Sequence, residues 1–109
     1  MKELKIMTNE YGRHYTEAAQ AEYDRVFLQV NGCGKYAVEL SVEGEVFSPH
    51  IRLNSERGSQ ACSFEVLAGT YYRVVAIVGT MERVVALEGG NVPSPSDSPS
   101  FDFGDANAQ

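Results

Sequence analysis

Tyr71-Tyr-Arg-Val-Val-Ala-Ile-Val-Gly-Thr-Met-Glu-Arg-Val-Val-Ala-Leu-Glu88 is a pair of β-branched, aromatic-rich runs either side of Gly79-Thr80. Runs of that composition, broken by a glycine, read as strands. A glycine at the first of two loop positions suits a type II′ hairpin turn. That turn pairs Val78 with Met81, Ala76 with Arg83, Val75 with Val84 and Val74 with Val85. One face of the predicted hairpin then carries Tyr72, Val74, Ala76, Val78, Met81, Arg83, Val85 and Leu87. The other carries Tyr71, Arg73, Val75, Ile77, Glu82, Val84, Ala86 and Glu88. The first is the expected core face, because it holds a single charge. The second still presents Tyr71, Val75, Ile77 and Val84, where an ordinary sandwich strand is polar. These four are the candidate interface residues of the body. They make an apolar strip of roughly a few hundred Å², about the size at which a patch carries meaning. Residues 1–24, the C-terminal segment or another chain are the candidates to cover it.

Outward from this ribbon, the same punctuation continues. Glycines at 32, 34, 44, 58, 69, 79, 89 and 90 separate short runs rich in strand formers. Such spacing predicts an all-β antiparallel sandwich of about six or seven strands. In Lys35–Glu43, Tyr36, Val38, Leu40 and Val42 alternate with polar residues, which predicts one buried and one wet face. Arg25–Val30 is expected to pair with it through Asn31-Gly-Cys-Gly34, with Leu28 opposite Tyr36 and Val26 opposite Val38. Pro49 makes Glu45–Leu53 an edge or bulged strand. Gln60–Leu67 places Cys62, Phe64 and Val66 on one side. Near the start, Leu4-Lys-Ile6 reads as a short strand. Thr16–Asp24 has the composition of a short helix capped by Thr16.

The stretch Phe64-Glu-Val-Leu-Ala-Gly-Thr-Tyr-Tyr-Arg-Val-Val-Ala-Ile-Val78 resembles a pattern of immunoglobulin-like β-sandwich modules, where a strand ends in Ala-Gly-Thr-Tyr and the next begins at the tyrosine. Glycine supplies the turn, and the ring packs at the sandwich edge. The resemblance implies an immunoglobulin-like sandwich. It also implies a setting such as adhesins, carbohydrate-binding accessories, or bacteriophage decoration and head-fibre proteins. The antibody-type core is absent, since the chain has no Trp and Cys33 lies between two glycines.

The charge is unevenly spread. The 109 residues carry a net charge of -6. Residues 1–24 are net acidic, residues 25–90 nearly neutral, and residues 91–109 carry Asp97, Asp102 and Asp105 with no base. An acidic balance argues against general binding to nucleic acid or anionic membranes. The longest apolar run, Val74–Val78, is too short to span a bilayer as a helix, and the first residues show no secretory h-region. Residues 91–109 are Pro- and Ser-rich and cannot bury enough area to order themselves. Phe101 and Phe103 are the exception, and read as anchors of a docking arm.

No chemistry stands out. His14, His50, Cys33 and Cys62 lack zinc-ligand spacing, so no metal and no cofactor is expected. A Cys33–Cys62 disulfide is geometrically possible but nothing in the sequence supports it, a cytosolic or virion origin would leave both reduced, and Cys62 is expected as a small core residue. No nucleophile elbow is present, and Asn31-Gly-Cys-Gly-Lys35 lacks the spacing of a phosphate loop. No catalytic residue is assigned.

Three divisions follow: residues 1–24 as an N-terminal segment, 25–90 as the sandwich, and 91–109 as an acidic arm. A body of this size buries only about 60% of its unfolded surface. With no metal or disulfide staple, association is the natural support. The expected function is a non-enzymatic structural or interaction protein. It would bind copies of itself or a larger protein shell, as a virion decoration or minor structural subunit, in a virion or the cytoplasm. Its interface residues would be Tyr71, Val75, Ile77, Val84, Phe101 and Phe103. One alternative is a carbohydrate- or surface-ligand-binding module using Tyr11, Tyr15 and Tyr23. Another is a small single-strand-nucleic-acid barrel with an acidic tail.

Overall fold

The computed structural model describes residues 1–55 and 58–89. Ten strands occur in chain order: β1 (Lys2–Leu4), β2 (Ile6–Thr8), β3 (His14–Thr16), β4 (Ala19–Gln20), β5 (Arg25–Asn31), β6 (Gly34–Ser41), β7 (Ser48–Ser55), β8 (Ser59–Glu65), β9 (Tyr71–Gly79) and β10 (Arg83–Gly89). They form two antiparallel sheets packed as a sandwich. One runs β1-β10-β5-β8; the other runs β2-β3-β9-β6-β7, with β4 also paired to β9. The core lies between them. Val26, Leu28, Val30, Val84 and Ala86 from the first sheet meet Tyr36, Val38, Tyr72, Val74 and Ala76 from the second. Every one of these follows the two-residue alternation of a half-buried strand.

The expected hairpins are not hairpins. β9 and β10 lie in different sheets, and so do β5 and β6. Each pair is an arch, in which the chain crosses the core instead of turning back in plane. Val26 and Leu28 therefore do share a core with Tyr36 and Val38, but from the opposite sheet. Crossing also reverses the phase expected for β10. Val84 and Ala86 point inward, while Val85 is half-buried and Leu87 is exposed on the outer side. Alternation could not distinguish the two outcomes, because hairpin and arch have the same period of two.

Backbone contact between the arches decides the matter. Thr80 N–H donates to Cys33 O at 3.1 Å, and Glu82 N–H donates to Asn31 O at 2.7 Å. The Tyr36 hydroxyl donates to Thr80 O at 2.5 Å. Gly79 has φ of 91°, and a Cβ there would stand 2.1 Å from Cys33 O. The glycine that suggests a tight turn is thus needed for close approach of two crossings.

The N-terminal segment switches sheets at Lys5: β1 extends the first sheet and β2 the second. Residues 16–24 form no helix. Nine residues of modest propensity cannot nucleate one unaided, and here the edge of β9 offers main-chain partners. Ala19 and Gln20 pair with Tyr72 and Tyr71. The buried Thr16 hydroxyl, expected as a helix cap, accepts the Val74 N–H at 2.9 Å. β7 is an edge strand, and its register slips opposite Val38 and Glu39, beside Pro49, as a residue lacking an N–H requires.

Candidate functional site

The outward side of the four-stranded sheet is built by the odd-numbered residues of its strands. Leu87, Phe27 and Ser63 stand in register across β10, β5 and β8. Glu3, Val85, Gln29 and Ala61 form the next row across all four strands. Phe27 is 42% exposed, Leu87 51% and Met1 88%. Together with Val85 and Ala61 they line a hollow of about 420 Å³. Ion pairs close its ends, Arg25 with Glu65 on one side and Arg83 with Glu3 on the other, the latter at 3.4 Å. An apolar centre with a charged, self-neutralised rim is the arrangement of a protein-docking patch.

The predicted interface residues do not lie here. Tyr71, Val75 and Ile77 sit on the outward side of the other sheet, each half-buried. Val84 is 0% exposed and belongs to the core, because the arch turns it inward. Phe101 and Phe103 lie outside the described residues. Sequence reasoning placed Val85 and Leu87 in the core and passed over Phe27. The signal available was Phe27 itself, a large aromatic at an alternate position whose neighbours Val26 and Leu28 both point inward.

Part of the outward side of the six-stranded sheet is finished by the chain itself. The segment 42–47 folds over it. Arg73 pairs with Glu39 at 2.8 Å, and its guanidinium lies 4.1 Å from the centre of the Phe47 ring. A Cβ on Gly44, whose φ is 91°, would meet the Tyr71 ring at 3.2 Å. Ser41 Oγ accepts the Gly44 N–H at 2.8 Å, and the Glu43 carboxylate accepts the Val46 N–H at 3.1 Å. The Val46 N–H and the Ser41 hydroxyl hold the Glu43 carboxyl below the usual range.

The most concentrated polar cluster joins the two sheets. Glu88 has a side chain only 6% exposed. It accepts the Tyr72 hydroxyl at 2.6 Å, the Glu22 N–H at 2.7 Å and the Lys2 ammonium at 3.0 Å. Burial alone would raise its pKa, but these donors outweigh burial and lower it. Burial and the neighbouring carboxylate push the Tyr72 phenol well above its ordinary value. The Glu88 carboxylate is buried and satisfied, so the cluster acts as a clasp between sheets.

Cys33 is exposed and Cys62 is partly buried, both as free thiols, and burial raises the pKa of the latter. Among the described residues, no three His, Cys, Asp or Glu side chains group as metal ligands do. Among the described residues no helix is long and apolar enough to cross a membrane. Tyr11, at 81% exposure, stands in the β2–β3 turn, Tyr15 in β3 and Tyr23 in the β4–β5 connection. The chain matches no protein-family model, no curated protein and no solved structure.

Proposed function

We propose that this chain is a non-enzymatic assembly subunit that binds a protein partner through the outward face of its four-stranded sheet. The partner is a second copy or the surface of a larger protein shell. One observation carries the reading: Phe27 and Leu87 are register partners on adjacent strands, and both leave about half their surface in solvent. Burying what remains exposed is worth roughly 1 kcal/mol for each side chain. The adjoining Met1 and Val85 add to this, and the rim pairs are already neutral, so docking costs little desolvation of unpaired charge. A virion shell is the setting supported by the resemblance of Phe64–Val78 to decoration-type sandwiches.

Light scattering after size exclusion tests the proposal on the full chain and on Leu87→Glu. The full chain is expected to form oligomers or to bind isolated shells. Leu87→Glu is expected to weaken that binding by about tenfold or more, as a charge in a central apolar patch does. A full chain that stays monomeric at high concentration and binds no shell overturns it.

A further inference from the structure

We infer that the outward face of the six-stranded sheet seats the acidic, aromatic segment 97–105 of its own chain. The face and the segment are opposite in charge. Met7, Tyr15, Val75, Ala37 and Arg52 form one continuous row across β2, β3, β9, β6 and β7. Around this row stand four cations, Arg13, Lys35, Arg52 and Arg73. On the described strands of this face Glu39 is the one carboxylate, and it is already paired with Arg73. Glu43 and Glu45 lie in the 42–47 segment over one end of the face, the former hydrogen-bonded to Ser41 and Val46. Arg13, Lys35 and Arg52 pair with no carboxylate among the described residues. A chain of net charge -6 has therefore gathered unpaired positive charge on one side.

The face also offers places for rings. A hollow of about 230 Å³ lies between Arg13, Tyr15, Arg73 and Val75. A second, of about 320 Å³, includes Lys35, Arg52 and Ile77 in its lining. Each sets an apolar side chain beside a cation, Val75 by Arg13 and Arg73 in the first and Ile77 by Lys35 and Arg52 in the second, where the inward-facing Tyr36 and Leu53 also contribute. In an extended segment, residues two apart point to the same side. Asp97, Phe101, Phe103 and Asp105 all have odd numbers, so an extended run presents acid, ring, ring and acid on one side. Residues 97–105 lie outside the described residues, and β10 ends at Gly89. The eight residue steps from Gly89 to Asp97 reach up to about 28 Å. Packed sheets are only about 10 Å apart. A tether this short sets an effective concentration near the millimolar range, so the chain's own segment outcompetes that of another copy at micromolar protein.

Amide resonances of the full-length, isotope-labelled chain test this. Substituting both rings (Phe101→Ser with Phe103→Ser) is expected to shift the signals of Tyr15, Ala37, Arg52 and Val75. Salt at ~1 M, where screening acts within about 3 Å, should shift the same signals. Arg13→Glu should lower the docked population about two- to fivefold, the effect of one exposed ion pair. None of these shifts should depend on dilution. If those signals stay still, if the moving signals are those of Phe27 and Leu87, or if the shifts vanish on dilution, the inference is overturned. The two faces are on different sheets, so this role and the docking role can fail separately.

Discussion

The two sheets of this sandwich differ most on the sides that do not touch each other. Outside the six-stranded sheet, Arg73 is paired with Glu39, and Phe47 and the Gly44 turn fold over one end. Outside the four-stranded sheet, Phe27, Leu87 and Met1 stand open among the described residues. One side is partly completed by the chain; the other exposes apolar area to water. That area is left in water by the isolated fold, and contact with a partner is the role proposed for it. An arch is what permits the contrast. A hairpin would put β9 and β10 in one sheet, with Val85 and Leu87 on the same side as Val74 and Ala76. The arch assigns each strand its own outer face.

The contrast breaks most completely if the arches cannot close, and Gly79 is the point to attack. Gly79→Ala places a Cβ 2.1 Å from Cys33 O and 2.6 Å from the Gly34 Cα, at φ of 91°. Both obstacles are backbone, so neither can swing away. The left-handed conformation costs an L-residue about 1–2 kcal/mol, and overpacking typically costs another 1–3 kcal/mol. A loss of about 3 kcal/mol is expected in urea unfolding, a large share of the roughly 5–15 kcal/mol that holds such a domain folded. An unchanged midpoint would mean that the arches are not pressed together.

Next in size is the Glu88 clasp, which fixes one sheet's position on the other. Glu88→Gln keeps the shape but weakens three charge-assisted contacts, those from Tyr72, Glu22 and Lys2. The expected loss is about 2 kcal/mol. The pH dependence follows from the direction of each shift. The Glu88 pKa is lowered on folding, so its contribution is complete above the ordinary carboxylate value, near 4.3. It is lost as pH falls through the depressed folded value. The Tyr72 pKa is raised on folding, so its contribution is complete below about 10 and is lost as pH rises beyond that. Urea midpoints should be flat between those limits and fall on both sides. Glu88→Gln should shallow the acid fall, and Tyr72→Phe the alkaline one. An acid fall as steep in Glu88→Gln as in the parent would remove Glu88 from the account.

How far the sequence carried depended on what each residue had to distinguish. Strand positions and the inward residues in the middle of β5, β6 and β9 were legible, because burial on one side forces alternation, whereas Val42 and Val78, expected on the same faces, stand exposed where the strands end. Pro49 correctly marked an edge, since a missing N–H excludes an interior strand. Strand pairing was not legible. Gly79-Thr80 and Gly32-Cys33-Gly34 carry the composition of tight turns, and the close packing that makes them arches joins residues as far apart in sequence as Thr80 and Cys33 or Glu82 and Asn31. One wrong pairing moved every residue of β10 to the opposite face. Leu87 was thereby assigned to the core and Val84 to the surface, the reverse of where the structure places them. The possible helix over Thr16–Asp24 failed differently: its local preference was weak, and main-chain pairing with β9 outweighed it.

A smaller effect sharpens the contrast from the completed side. Arg73→Ala removes the pair with Glu39 and the contact with Phe47. Arg73 is a third exposed, so solvent screens the pair, and the sum of both contacts is about 1 kcal/mol. The loss should be local. Hydrogen exchange should quicken at Gly44 and Val46, whose N–H groups are held by Ser41 and Glu43, while β5 and β10 amides keep their protection. Faster exchange throughout would mean that this loop is part of the global unit and not a cover.

The smallest effect on the fold belongs to the open side, and its smallness is the informative result. Leu87→Ser removes apolar area that solvent already reaches, and a serine at an exposed strand position needs no buried partner. At concentrations where the chain is monomeric, the unfolding free energy should change by no more than about 0.5 kcal/mol. Val84→Ser, three residues earlier on the same strand, faces the core at 0% exposure and should cost about 2–3 kcal/mol by losing burial and stranding a hydroxyl. Association should respond in the reverse order. Leu87→Ser should weaken it with the fold intact, whereas any loss in Val84→Ser should track the unfolded fraction. If Leu87→Ser destabilises the monomer as much as Val84→Ser does, Leu87 is core, and the open face is not a surface that awaits a partner.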